Sequence, residues 1–300
     1  MALLDVILNY DCNLACDYCT ISPEMRPRAL TTPQVAAALQ AGIRDGFDSV
    51  SFTGGEPTIR GDLLGLLRAS RQLGFRDVKV QSNGLLLASA PNLQKLRDAG
   101  MTRLHISIHT HEEAAYERLV RREGTFASMA SAVELAASSS GLTFVVDVIL
   151  KNDTWEKLPA ALEWLHARGV REVHLWYVSL TDGNAQNFSS SMRMSEVMPT
   201  VKGALAWANS VGMTVRSLHI PRCLLGVEFA SHAYDPGADR VRVVSPDSTF
   251  DLKDSRLAGR VHVAACEGCR FRDVCPGIRA DYLQHYGEAE FVAVAPDGAR

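Results

Sequence analysis

Six short, apolar, β-rich segments set the strongest limit on how this 300-residue chain can fold. They are Leu4–Tyr10, Ser49–Thr53, Val78–Ser82, Arg103–His109, Phe144–Leu150 and Glu172–Ser179. Most are separated by stretches with apolar residues at helical spacing: Thr32 to Gly46, Asp62–Leu73, Pro91–Ala99, Phe126–Ala137 and Thr154–Ala167. Pro33 occupies a first-turn position, and several of these stretches stop at a glycine. Strands alternating with helices make parallel βαβ units, so the class is α/β. A doubly wound sheet and a β/α barrel both satisfy the pattern. In either, ligands gather beyond the carboxyl ends of the strands.

Chemistry-bearing residues stand at those ends. Cys12, Cys16 and Cys19 follow the first strand, Gly54-Gly55-Glu56-Pro57 the second, and Asn83-Gly84 the third. Residues 181–191 read as a polar loop, followed by a helix near Ser195–Val211 and a strand near Thr214–Ile220. Beyond Pro221 the pattern changes. Val241–Ser245 and Thr249–Leu252 flank Pro246-Asp247-Ser248 as a β-hairpin, and a final helix is expected near Arg279–His285. The division this suggests is 1–212 and 213–300.

The chain is 47% apolar and 22% charged, with a formal charge of −3, which lacks the electrostatic footprint of a dedicated nucleic-acid binder. No apolar stretch is long enough for a bilayer, and Asp5 interrupts the first apolar run, which reads as a strand and not a signal peptide. A cytoplasmic location, with reduced thiols, is the expectation. The seven cysteines fall into groups of three and four, an odd count that suits metal binding better than disulfides.

Three thiolates on one loop can hold three irons of a 4Fe–4S cluster and leave the fourth open. Zinc would need a fourth ligand, and none lies nearby in sequence. The Cys12-x3-Cys16-x2-Cys19 loop, together with the Gly54-Gly55-Glu56-Pro57 turn, resembles the radical S-adenosylmethionine (SAM) superfamily over about residues 1–180. The resemblance implies a partial (β/α)6 TIM-like barrel. It places Tyr18 near the adenine, and the Gly-Gly-Glu-Pro turn at the methionyl amino group. It offers Asn83 for the pocket, Ser107 for the ribose, and Arg118, Arg121 or Arg122 for the methionyl carboxylate. It also implies reductive SAM cleavage to a 5′-deoxyadenosyl radical, with a reducing flavodoxin or ferredoxin as electron source.

Cys266-x2-Cys269-x5-Cys275 is a second group, and Cys223 is the natural fourth ligand. Spacing alone allows a fully ligated 4Fe–4S cluster or structural zinc. The group resembles part of the SPASM/twitch extensions, which implies a small C-terminal α+β domain with one auxiliary 4Fe–4S cluster. With every cysteine then committed, no thiol remains to return a hydrogen atom. Net oxidation of a small natural-product metabolite, by dehydrogenation or bond formation, is the expected outcome.

A peptide maturase is the alternative, although nothing before Cys12 reads as a peptide-binding module. A non-catalytic iron–sulfur or zinc protein is the reading from another class. His109, Asp147 and Tyr177 are the candidate catalytic side chains. Strand alternation points His105, Ser107 and His109 together on their strand, and His174 and Trp176 together on theirs.

Overall fold

The computed structural model describes residues 2–235, 239–254 and 260–296. The first four strands are β1 (Ala2–Asn9), β2 (Ser49–Gly54), β3 (Asp77–Ser82) and β4 (Arg103–Ser107). They continue into β5 (Thr143–Leu150), β6 (Glu172–Tyr177) and β7 (Thr214–Leu218). Helices α1 (Thr32–Arg44), α2 (Leu63–Leu73), α3 (Ala90–Asp98) and α4 (Glu113–Val120) connect the first half. In the second half stand α5 (Phe126–Ala137), α6 (Leu158–Ala167) and α7 (Met194–Ser210). Strands β1 to β7 lie in sequence order and pair in parallel, so the α/β expectation holds.

Strands β1, β3 and β6 bury alternate residues, whereas β2, β4 and β5 bury runs of three or four. Leu4, Val6 and Leu8 on β1, Val78 and Val80 on β3, and Val173 and Leu175 on β6 are at most 1% exposed. They join α1, α2 and α6 residues in one continuous core. The opposite residues, such as Gln81, Ser107, Asp147 and Trp176, are left to line a cavity. Local signals fix the connections. Thr31 caps α1 in a reciprocal capping box with Gln34, and α2 ends at Gly74 in the left-handed region, where glycine carries no Cβ penalty.

One helix was not expected from sequence. In α4, Tyr116, Leu119 and Val120 are buried at helical spacing, but the short segment sits among charges that obscure it. A second departure lies in the tail. Helix α8 (Arg222–Phe229) leads to β8 (Ala233–Tyr234), which pairs with β7. The expected hairpin forms as β9 (Arg240–Val244) and β10 (Thr249–Asp251), and β9 runs parallel to β1. The tail thus extends both edges of the core sheet, which continues past residue 212 without a break. A separate ribbon of β11 (Arg260–Val261) and β12 (Ile278–Arg279) precedes α9 (Ala280–Tyr286).

Helix α7 offers a simple stability test. Gly203 lies in its exposed interior, where an added methyl group would meet nothing within 4 Å. Gly203→Ala should stabilise the fold by about 0.5–1 kcal/mol, read as a higher thermal midpoint.

Candidate active site

The loop after β1 is held from several sides. The backbone N–H groups of Ala15 and Asp17 donate to the carbonyls of Val120 and Leu119, at 3.3 and 3.0 Å. These are carbonyls that the end of α4 leaves without helical partners. Arg26 donates to the carbonyls of Cys12 and Leu14 at 3.0 and 2.7 Å. Buried Lys151, just past β5, reaches Asp17 at 3.2 Å and Asp153 at 2.6 Å. Backbone N–H groups of Leu14 and Ile21 point at the sulfurs of Cys12 and Cys19, both at 3.4 Å. Such donors suit sulfur that carries negative charge in a cluster. All seven cysteines carry free thiols.

The glycine turn fits against this loop. Gly55 N–H donates to Asn9 O, and Glu56 N–H to Asp11 O, both at 2.8 Å. A Cβ on Gly55 would stand 1.9 Å from Asp11 O, and one on Gly54 would stand 2.2 Å from Asn9 O. Only a chain without side chains can pass here. Glu56 turns inward and is fully buried. Its carboxylate accepts from Thr58 N–H and Oγ1, Ser82 Oγ, and Asn83 N–H. Burial pushes the carboxyl upward and these bonds pull it back. Glu56 therefore ties the turn to the end of β3, and neither it nor Pro57 lines the cavity.

That cavity, of about 300 Å³, is lined at one end by Cys12, Cys16, Cys19, Tyr18, Gly54 and Gly55. Asn83, Ser107, Asp147, Trp176 and Tyr177 line the remainder. Candidates from five strand ends and the cysteine loop thus share one space with the three cysteines. Others do not.

Arg118, Arg121 and Arg122 stand outside the lining. Arg118 is on the exposed side of α4 with its guanidinium on Ala114 O, and Arg121 is the left-handed cap of that helix. Arg122 donates to Asn13 O at 2.9 Å. The arginine in the lining is Arg26, which sequence reasoning passed over because it belongs to no regular element.

His109 lies behind the wall. Its Nδ1 accepts from Ile149 N–H at 3.2 Å, so in the neutral ring Nε2 carries the proton and faces the Tyr18 hydroxyl. Burial pulls its pKa down to about 3. Tyr177 presents its ring, but its hydroxyl is engaged by Met192, donating to the carbonyl and accepting from N–H. It is therefore poorly placed to give up a hydrogen atom.

Asp147 is the acidic group in the lining. Burial would raise its pKa, but His105 and His174 outweigh it and hold the carboxyl at about 2. His105 Nδ1 lies 3.2 Å from Asp147 Oδ2, and Trp176 Nε1–H donates to Oδ1 at 3.1 Å.

The second cysteine group also shares one space: Cys223, Cys266, Cys269 and Cys275 line a small cavity with His262 and Phe271. Cys269 N–H donates to Cys266 O at 3.2 Å, and Cys275 N–H to Phe271 O at 2.7 Å. A Cβ on Gly277 would meet Val261 O at 2.8 Å, so this glycine lets the cysteine loop lie against β11. Burial, then the three other thiols, pushes Cys223 up to about 12. Four sulfurs around one space are the donor set of a closed zinc site or a fully ligated 4Fe–4S cluster. Arg279, from β12, donates to Ser179 Oγ at 2.5 Å, and Ser179 lines the first cavity. The tail therefore rests against its rim.

Residues 6–165 match the family model described as the radical SAM superfamily. Molybdenum cofactor biosynthesis protein 1 of Bos taurus is 33% identical over 210 residues, covering 66% of this chain and 32% of that protein. A probable GTP 3′,8-cyclase of Sulfurisphaera tokodaii is 27% identical over 173 residues, covering 57% of this chain and 54% of that protein. The chain therefore spans about a third of the one and about half of the other of these curated relatives. Among solved structures, Streptococcus suis SuiB bound to precursor peptide SuiA aligns with a TM-score of 0.70 at 13% identity. That match covers 97% of this chain and 74% of the other, and is a likeness of fold. No helix among the described residues is long and apolar enough to cross a membrane.

Proposed function

This chain belongs to the radical SAM superfamily, and on that premise we propose that it is an enzyme that oxidises a small, uncharged or cationic metabolite. The observation that carries this reading is the single cavity on which Cys12, Cys16, Cys19, Gly54, Gly55 and Asp147 converge. Cys12, Cys16 and Cys19 would hold a 4Fe–4S cluster with one open iron. Gly54 and Gly55 would receive the SAM amino group on bare backbone, and Ser107 the ribose. When bound, cluster and SAM supply one-electron cleavage of the sulfonium to methionine and a 5′-deoxyadenosyl radical, which removes a hydrogen atom from substrate.

The chain's own residues set what enters. Among the described lining residues the cation is Arg26, whose guanidinium is already shared between the Cys12 and Leu14 carbonyls. The anion is Asp147, held ionised. A nucleoside triphosphate, which the name of one of the two curated relatives points to, would meet among the described lining residues one already engaged arginine and a repelling carboxylate. Trp176 and Asp147 suit an apolar body with a hydroxyl or amine.

Residues 213–300 are assigned the auxiliary role, with Cys223, Cys266, Cys269 and Cys275 around a second, twitch-like 4Fe–4S cluster. Four protein ligands leave it no iron for substrate, so it would pass electrons. With Tyr177 engaged and all thiols committed, net oxidation follows, with a flavodoxin or ferredoxin as reductant.

The test is anaerobic reconstitution and incubation with SAM and dithionite. Two iron–sulfur clusters per chain and release of 5′-deoxyadenosine are expected. Zinc without iron, or no SAM cleavage under strong reductant, overturns the assignment.

A further inference from the structure

The polar face of the sheet carries a cluster of which the proposed reaction uses Asp147 and leaves the two histidines without a role. His105 on β4, Asp147 on β5 and His174 on β6 stand on one face of three consecutive parallel strands. Asp147 is in register with His174, and His105 lies one same-face step below Ser107, which is itself in register with Asp147. Their side chains are 6%, 4% and 12% exposed. We propose that these three residues form a mononuclear binding site for a divalent first-row transition ion, with its open coordination positions facing the cavity.

The spacing fits an ion. His105 Nδ1 is 3.2 Å from Asp147 Oδ2, His174 Nδ1 is 3.7 Å from Asp147 Oδ1, and all three ligand atoms lie within 4.8 Å of one another. Donors about 2.1 Å from a four-coordinate ion stand about 3.4 Å apart. Two imidazoles and a carboxylate suit zinc, iron, manganese or cobalt, and three protein ligands leave room for a non-protein one.

The outer contacts are those of a metal site. Ligating histidines and carboxylates are usually held by a further partner on the side away from the ion. His174 Nε2 lies 3.3 Å from Glu172 Oε1, and Arg216 Nε donates to the same oxygen at 3.2 Å. Trp176 Nε1–H holds Asp147 Oδ1, which leaves Oδ2 toward His105. Asp147 lines the cavity, which gives the ion its access. Without an ion the same groups form a hydrogen-bonded triad, so metal binding is itself the distinguishing measurement.

The probe is Zn²⁺, added in one equivalent to protein whose cysteine sites have been filled with iron–sulfur clusters, then desalted. Zinc-edge absorption separates nitrogen and oxygen ligands at about 2.0–2.1 Å from sulfur at about 2.3 Å. The expected result is one retained zinc with a nitrogen and oxygen shell, lost in His174→Ala. Should that variant fail to fold, Glu172→Gln takes its place, with an expected weakening of about 10–100-fold. No retained zinc, zinc with sulfur ligands alone, or nitrogen-ligated zinc unchanged in the variant overturns the site. Because the site is read by zinc and not by turnover, its failure is separate from any failure of the SAM chemistry.

Discussion

Cys16→Ala should abolish release of 5′-deoxyadenosine and remove about four irons per chain, whereas Cys223→Ala should remove iron but leave SAM cleavage in place. The contrast follows from geometry. Cys16 lines the cavity with Cys12 and Cys19, and none of the tail cysteines does. Two cysteines cannot hold a site-differentiated cluster, so loss of Cys16 removes the open iron on which SAM would be chelated. The loop itself should persist, because Arg26, Lys151 and the α4 carbonyls hold it independently of sulfur. Stability is therefore expected to change little beyond what the lost cluster contributes.

Cys223 lines the second cavity and not the first. Its loss should stop substrate oxidation while SAM still yields 5′-deoxyadenosine in an unproductive reaction. Iron analysis, electron paramagnetic resonance of the reduced protein and quantitation of 5′-deoxyadenosine check cluster loss and SAM cleavage in both variants. If Cys223→Ala also stopped SAM cleavage, the two cysteine groups would not be functionally separate.

Local signals located much of this site. Helix α5 has the bounds that periodicity predicts, Phe126–Ala137, and the strands agree within about two residues. Strand ends then deliver Asn83, Ser107, Asp147 and Trp176 to one cavity, because a parallel sheet points every carboxyl end the same way. What could not be read depends on long-range contacts. Nothing in Arg240–Val244 says that it will lie beside β1. The choice of Arg26 over Arg118, Arg121 and Arg122 rests on how a loop folds back, not on spacing. Glu56 looks like a ligand residue in a glycine-rich turn, and only its four hydrogen bonds show that it faces inward. Tyr177 and His109 are similar cases: their positions were legible, and the partners that occupy their polar atoms were not.

The second large effect is expected at Gly55. Its φ is not in the left-handed region, so backbone freedom is not the issue there. Space is. A methyl group 1.9 Å from Asp11 O cannot be accommodated by a side-chain rotation, because the obstacle is backbone. Gly55→Ala must push the turn away from the cysteine loop, which breaks Gly55 N–H to Asn9 O and Glu56 N–H to Asp11 O. Each such bond contributes about 0.5–1.5 kcal/mol, and overpacking adds about 1–3 kcal/mol. Glu56 resists the shift, since its buried carboxylate would leave Ser82 and Asn83 unpaired. Gly61→Ala, a few residues on, is the control: it is exposed with nothing within 4 Å, and should leave the protein unchanged. Thermal midpoints, iron content and equilibrium binding of SAM to the reconstituted proteins give the comparison. Gly55→Ala should lower the midpoint and lose most SAM affinity while Gly61→Ala matches wild type. A Gly55→Ala protein with normal SAM affinity would mean that the turn only supports the loop and does not meet the ligand.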